Sequence, residues 1–273
     1  ERMDLTFSLG QGSAKTPLFV GQERLDVTAN GRYLFGAPAA GNELKLDVRY
    51  QSVNKLAGPY EAYFVGTEFY VDSYRDLPEL PALTLDDQGE VAFSLPLLAQ
   101  EKLQSPVEAN INFDLLETGG ATVSRQQTAV LWRDLPLPGI HADFDEAQSF
   151  SELSFKVINL SADGAGIESG ELEYKVERNR GGYYWTYSDA YGWDLARDNE
   201  WRPVLSDVFS NEQAQLNTLN VSVEWGDYRI RVRNEQGVET VYAFYAGWQE
   251  GGEQKPAKPD HLGLSLDQAH YQN

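Results

Sequence analysis

Cysteine is absent from this sequence of 273 residues. That absence excludes disulfide frameworks, zinc thiolate centres, thiol nucleophiles and thiol redox chemistry together, and it leaves the redox compartment unreadable. Histidine is scarce: the three present are His141, His261 and His270, so the side chain best suited to proton transfer near neutral pH is in short supply. They fall in no Ser-His-Asp order and no His-Glu-x-x-His pair, and no phosphate-cradling glycine loop accompanies them. Also missing is any apolar run of about 18 residues that could form a membrane-spanning helix. The opening Glu1-Arg2-Met3-Asp4 is unlike a signal peptide, so any export signal would lie upstream. Basic residues are few beside acidic ones, 22 against 42, for a formal charge of −20 spread without a block of like charge. Such a surface repels phosphate, so nucleic acid and anionic membrane are not expected partners; its plain role is to keep an exposed protein soluble.

What is abundant is two-residue alternation. Asp4 to Leu9, Glu43 to Val48 and Asn110 to Leu115 each place apolar side chains on one face and polar ones on the other, as in antiparallel strands with one buried face. Further strands are predicted at Leu25 to Ala29, Glu61 to Val65, Gly89 to Leu95, Thr122 to Trp132, Glu152 to Ile158, Glu171 to Arg178, Asp227 to Val232 and Val238 to Tyr245. Turn chemistry such as Asn30-Gly31, Asp87-Gln88-Gly89, Asp163-Gly164 and Glu235-Gln236-Gly237 separates them, and no three-turn amphipathic helix competes. The predicted class is all-β, a tandem of antiparallel β-sandwiches of about seven strands each.

The halves carry a weak repeat at an offset of 128, where Gly36, Glu43, Leu44, Leu46 and Val48 fall on Gly164, Glu171, Leu172, Tyr174 and Val176. Two copies of one domain type account for it. The prolines of Asp134-Leu135-Pro136-Leu137-Pro138-Gly139 read as a short semi-rigid connector, which divides the chain into domains at 1–135 and 136–248. Residues 249–273 read as an exposed linker, Gln249 to Pro259, followed by the first strand of a further domain, Leu262 to Asp267.

No residue is expected to be catalytic, to bind a cofactor or to ligate a metal, and the chain is not expected to be an enzyme. The densest acidic cluster, Asp86-Asp87-Gln88-Gly89-Glu90, lacks the ligand spacing of a calcium loop and reads as a hairpin turn. Carboxylates are so numerous that no pair stands out as a glycosidase acid and base. The strongest local feature is aromatic: Tyr183, Trp185, Tyr187, Tyr191, Trp193 and Trp201, with Tyr184 among them, form a candidate interaction face. Alternation puts Tyr183, Trp185 and Tyr187 on one side of a strand. Two readings stay open, a sugar-stacking platform and a packing or inter-domain contact. Trp132, Trp225 and Trp248 read as structural, in cores or at domain junctions.

Taken together, these elements resemble the macroglobulin domains of bacterial alpha-2-macroglobulins. The first half holds Gly31-Arg32-Tyr33-Leu34-Phe35-Gly36-Ala37-Pro38-Ala39-Ala40-Gly41, similar to an aromatic strand ending in a Gly-x-Pro-x-x-Gly turn. The second holds Tyr183-Tyr184-Trp185, Gly192-Trp193, then Trp225 to Val232 and Phe244-Tyr245-Ala246-Gly247-Trp248, similar to the domain that follows. The order suggests the fifth and sixth macroglobulin domains, with the bait region beginning near His261. The resemblance implies non-catalytic domains of a large periplasmic protein, often lipoprotein-anchored, that is cut at a bait segment by a protease and then traps it sterically. The implied partners are proteases, the neighbouring macroglobulin domains and, by analogy, a peptidoglycan-building envelope enzyme. The Cys-x-Glu-Gln thioester of many members is absent here, as zero cysteines require. The alternative is a carbohydrate-binding or adhesive scaffolding tandem.

Overall fold

The computed structural model describes residues 3–10, 16–67, 79–80, 82–117, 119–189, 192–210 and 212–247. Among these residues eighteen strands follow in order: β1 Met3–Leu9, β2 Leu18–Val20, β3 Arg24–Tyr33, β4 Glu43–Ser52, β5 Phe64–Val65, β6 Leu83–Thr84, β7 Glu90–Pro96, β8 Val107–Leu116 and β9 Thr122–Trp132 lie in the first half. The second half has β10 Leu137–Ala142, β11 Ser151–Leu160, β12 Leu172–Asn179, β13 Tyr183–Ser188, β14 Gly192–Arg197, β15 Trp201–Phe209, β16 Asn217–Val223, β17 Gly226–Asn234 and β18 Glu239–Ala246. Among the described residues helical structure is confined to one 3-10 turn at Gln100–Lys102.

Sheets β1-β3-β7 and β9-β8-β4-β6 make the first sandwich, and β16-β11-β10 with β15-β12-β17-β18 make the second. In both, the first, second and fifth strands of seven form one sheet while the third, fourth, sixth and seventh form the other. The repeat in the sequence is therefore a repeat of topology: Leu44, near the start of β4, corresponds to Leu172, which opens β12. Alternation explains the local structure. In β8, Val107, Ala109, Ile111, Phe113 and Leu115 are all fully buried while the residues between them are partly covered.

Phe7 stacks on Phe113 in the first core, with ring centroids 4.3 Å apart. The second core gathers Phe155, Val157, Val176, Val221, Ile230 and Val232, with Phe144 edge-on to Phe155. The first core does not stop at the boundary. It runs on through Leu56 and Val65 to Leu137, Ile158, Leu160, Ala162 and Val238 of the second half.

Three extra pieces elaborate the seven-strand plan. β2 adds in parallel to β9. The β4–β6 connection leaves the first sandwich and places β5 antiparallel on β10 of the second, so that Val65 pairs with Gly139 and Phe64 with Ile140. The corresponding β12–β15 connection forms the β13–β14 hairpin.

Several expectations are corrected. The proline segment at 134–139 is not a connector throughout: β10 begins at Leu137, and Leu137 to Ile140 are buried. Pro138 is tolerated there because β5 is too short to ask its nitrogen for a hydrogen bond; it reaches only Gly139 and Ile140. The strand predicted from Glu61 shrinks to Phe64–Val65, with the residues before it in a turn. Trp225 lies on the surface, 48% exposed, just before β17, whereas Trp132 is fully buried and donates its indole N–H to the Leu135 carbonyl at 2.8 Å. Trp248 and the linker and strand expected at 249–273 lie outside the described residues.

Candidate interaction surfaces

β12 and β15 pair up to Asn179 and Trp201, and the ladder resumes beyond a break as β13 against β14. The result is one long two-stranded arm rising from the sheet. Its base is drawn tight by the Arg180 amide donating to the Glu200 carbonyl at 2.8 Å and the Asp198 amide to the Gly182 carbonyl at 2.9 Å. Asn179 clips the bend, donating to Asn199 Oδ1 at 3.0 Å and accepting the Gly181 amide at 2.9 Å. Glycine is required at 181, since a Cβ there would sit 1.6 Å from the Asp198 carbonyl oxygen.

The register brings residues from both strands to one face: Trp185 opposes Leu195, and Tyr187 opposes Trp193. Trp185 is 57% exposed, Tyr187 59% and Trp193 69%. Tyr184 belongs to the opposite face and is exposed as well. The Tyr187 and Trp193 rings are 5.5 Å apart and inclined at 61°, an edge contact and not a flat shelf. Trp201 stands apart from this group, under the Arg229 guanidinium at 4.4 Å from its centroid, while Arg229 also pairs with Glu177. Tyr183 pairs in register with Arg197, but its side chain, like the whole of Tyr191, lies outside the described residues.

A second surface joins the two sandwiches; of its residues the sequence had drawn attention only to His141 and to the prolines of the connector, none of them as parts of a contact. The Gly66 amide donates to Thr240 Oγ1 at 2.8 Å, and the Thr240 hydroxyl donates to the Pro138 carbonyl at 2.5 Å. The Val241 amide donates to the Gly66 carbonyl at 3.0 Å, and Asn234 Nδ2 to the Pro136 carbonyl at 2.9 Å. Phe64 meets Tyr242 edge-on at 5.4 Å, and Leu56 packs on the turn at Gly164. His141 belongs to this joint, with Nδ1 3.1 Å from the Ala62 carbonyl and its ring 5.5 Å from Tyr63. His261 and His270 lie outside the described residues. Gly66 has φ +74°, and a Cβ on it would lie 2.0 Å from Ser105 Oγ. No local signal could have found this joint, because Gly66 and Thr240 are 174 residues apart.

Ionisation is shifted by packing. Burial pushes the Tyr50 phenol up to about 12. It also raises Tyr174, Tyr242 and Tyr63, the last helped by Tyr60 and Asp143. Arg231 is raised by its hydrogen bond to Glu239 and Arg133 lowered by burial. Asp163 is held below the usual carboxylate range by bonds from the Ser161 hydroxyl and the Ala165 amide. Among the described residues no group of three or more His, Asp or Glu could hold a metal ion. Asp86 closes its hairpin turn, accepting the Gln88 and Glu90 amides at 2.9 and 2.8 Å.

Against known proteins, the family model for the bacterial alpha-2-macroglobulin MG5 domain matches residues 1–133, and that for bacterial macroglobulin domain 6 matches residues 139–248. The alpha-2-macroglobulin of Escherichia coli K12 is 28% identical over 296 aligned residues, covering 99% of this chain and 17% of the relative. The crystal structure of Salmonella alpha-2-macroglobulin reacted with methylamine is 26% identical, with a TM-score of 0.72 over 90% of this chain and 17% of that one. The structure of Escherichia coli alpha-2-macroglobulin activated by porcine elastase is 27% identical, with a TM-score of 0.71 over 92% of this chain and 22% of that one. This chain thus spans about a fifth or less of the relatives it matches.

Proposed function

We propose, since this chain belongs to the bacterial alpha-2-macroglobulin family, that its two sandwiches are non-catalytic structural domains of a longer protein that traps proteases after bait cleavage. The observation that carries this reading is the joint. A short strand from the first sandwich is built into a sheet of the second, and one core continues across the boundary. Two domains fused in this way move as one rigid strut, which suits a wall that must displace as a unit when a cut elsewhere releases the trap. The elastase used to activate the Escherichia coli protein fits proteases as the partners. The proposal places the longer protein in the periplasm, which fractionation of cells would test. No feature among the described residues singles out a peptidoglycan-building enzyme as a further partner.

The test uses the full-length protein mixed with an equimolar protease, followed by parallel assays on a large protein substrate and a small peptide. Steric trapping predicts that digestion of the large substrate falls while the peptide is still cleaved, and that the 273-residue chain alone alters neither. Unchanged cleavage of both substrates across several proteases of different specificity would overturn the reading.

A further inference from the structure

The two sandwiches share one strand plan, and in each the long excursion leaves from the same place, between the third and fourth strands. In the first, that excursion reaches forward and docks on the next sandwich: Phe64 and Val65 add to β10, Phe64 meets Tyr242, and Leu56 is buried. In the second, the excursion is the β13–β14 arm, on which Trp185, Tyr187 and Trp193 are each more than half exposed among the described residues. The offset of 128 that relates the halves carries Val65 onto Trp193.

We infer that the β13–β14 arm is the docking element for the domain that follows this pair in the longer chain, with Trp185, Tyr187 and Trp193 seated against its first sheet as Phe64 and Val65 are seated here. The inference rests on reading this chain as part of a longer macroglobulin, and most of the matched relatives' length lies outside it. Three large aromatics clustered at more than half exposure are what an interface core requires and what a solvated hairpin avoids. The 61° between the Tyr187 and Trp193 rings suits insertion between side chains of a sheet better than stacking on the flat face of a sugar. The clipped base at Asn179 and Gly181 fixes where the arm points, so ordering it on contact costs little conformational entropy.

The test is carried out in the full-length protein without any protease, so that a failure of trapping and a failure of docking are read separately. With p-benzoylphenylalanine incorporated in place of Trp193, irradiation is expected to give an intramolecular cross-link to the domain next after this pair. Hydrogen exchange of the arm amides is expected to be at least about tenfold slower in the full-length protein than in the 273-residue chain. The double variant Trp185→Ser, Trp193→Ser should remove that slowing while leaving exchange in β12 and β17 unchanged. A cross-link to a preceding domain or a second molecule, the absence of a cross-link, or equal exchange in the two chains would each overturn the inference. So would binding of soluble peptidoglycan fragments that is lost in the double variant, since the face would then be a sugar site.

Discussion

Replacing Thr240 by valine keeps the shape of the side chain and removes the one oxygen that ties three strands together. Thr240 is fully buried; its Oγ1 accepts the Gly66 amide at 2.8 Å, and its hydroxyl donates to the Pro138 carbonyl at 2.5 Å. Valine would leave a buried donor and a buried acceptor without partners, at about 1–3 kcal/mol each. The expected loss is therefore about 2–6 kcal/mol, a fall in Tm on the order of 10 °C for a cooperative unit of this size. Thr240→Ser restores the hydroxyl and gives up one methyl group, about 1 kcal/mol. Urea unfolding followed by circular dichroism should rank wild type, Thr240→Ser and Thr240→Val in that order. Hydrogen exchange should show the Gly66 amide losing protection in Thr240→Val alone. A valine variant as stable as wild type would refute the reasoning, because it would mean that the joint is wet or that the bonds contribute nothing.

Gly66→Ala should lose more stability than an ordinary surface change, because φ +74° disfavours a side chain and the new Cβ would meet Ser105; adding Ser105→Ala should recover part of the loss, a coupling that a double-mutant cycle measures. Trp132→Ala should cost about 3–5 kcal/mol in denaturant unfolding, since the buried indole also loses its bond to Leu135. Trp225→Ala, by contrast, should stay within about 1 kcal/mol of wild type, its half-exposed ring meeting Tyr245 edge-on. The Tyr50 phenol, raised from 10.0 to about 12 by burial, favours the folded state fully below pH 10; that contribution is lost as pH rises toward 12, and Tyr50→Phe should flatten this alkaline decline in a pH series of unfolding curves. Asp163 works in the other direction: its depressed ionisation stabilises the fold above the ordinary carboxylate range and ceases to do so as pH falls below it, so wild type and Asp163→Asn should converge in acid.

Legibility followed burial with one exception: β16, Asn217–Val223, alternates buried and exposed along its whole length and is not among the strands predicted from the sequence. β1, β4, β8 and β12 were readable because one face of each is buried and the other is wet, which writes the period of two into the sequence. β15 was not, because Trp201–Phe209 is exposed along nearly its whole length, with a bulge opposite Val176 and Glu177 that breaks any period. β5 has two residues, too few for a pattern, and β10 was hidden by prolines that read as a break. The aromatic run was visible as a strand face through Trp185 and Tyr187. That Trp193 joins them and Trp201 does not depends on the hairpin register and on Arg229. Trp225 was misplaced because a large apolar side chain next to a strand is ordinarily buried, and here it stands at a turn.

By itself the sequence determined the all-β class, the two-fold repetition of one sandwich and the lack of thiol chemistry, since alternation, turn residues and composition are local quantities. The tertiary structure alone decided that the sandwiches are stitched together through Gly66, Pro138 and Thr240, and that an arm of the same topological origin presents Trp185, Tyr187 and Trp193 at more than half exposure among the described residues. The reason is physical. A contact between residues 174 positions apart leaves no period in either neighbourhood, and whether an aromatic ring is core or contact surface depends on what else in space comes to cover it.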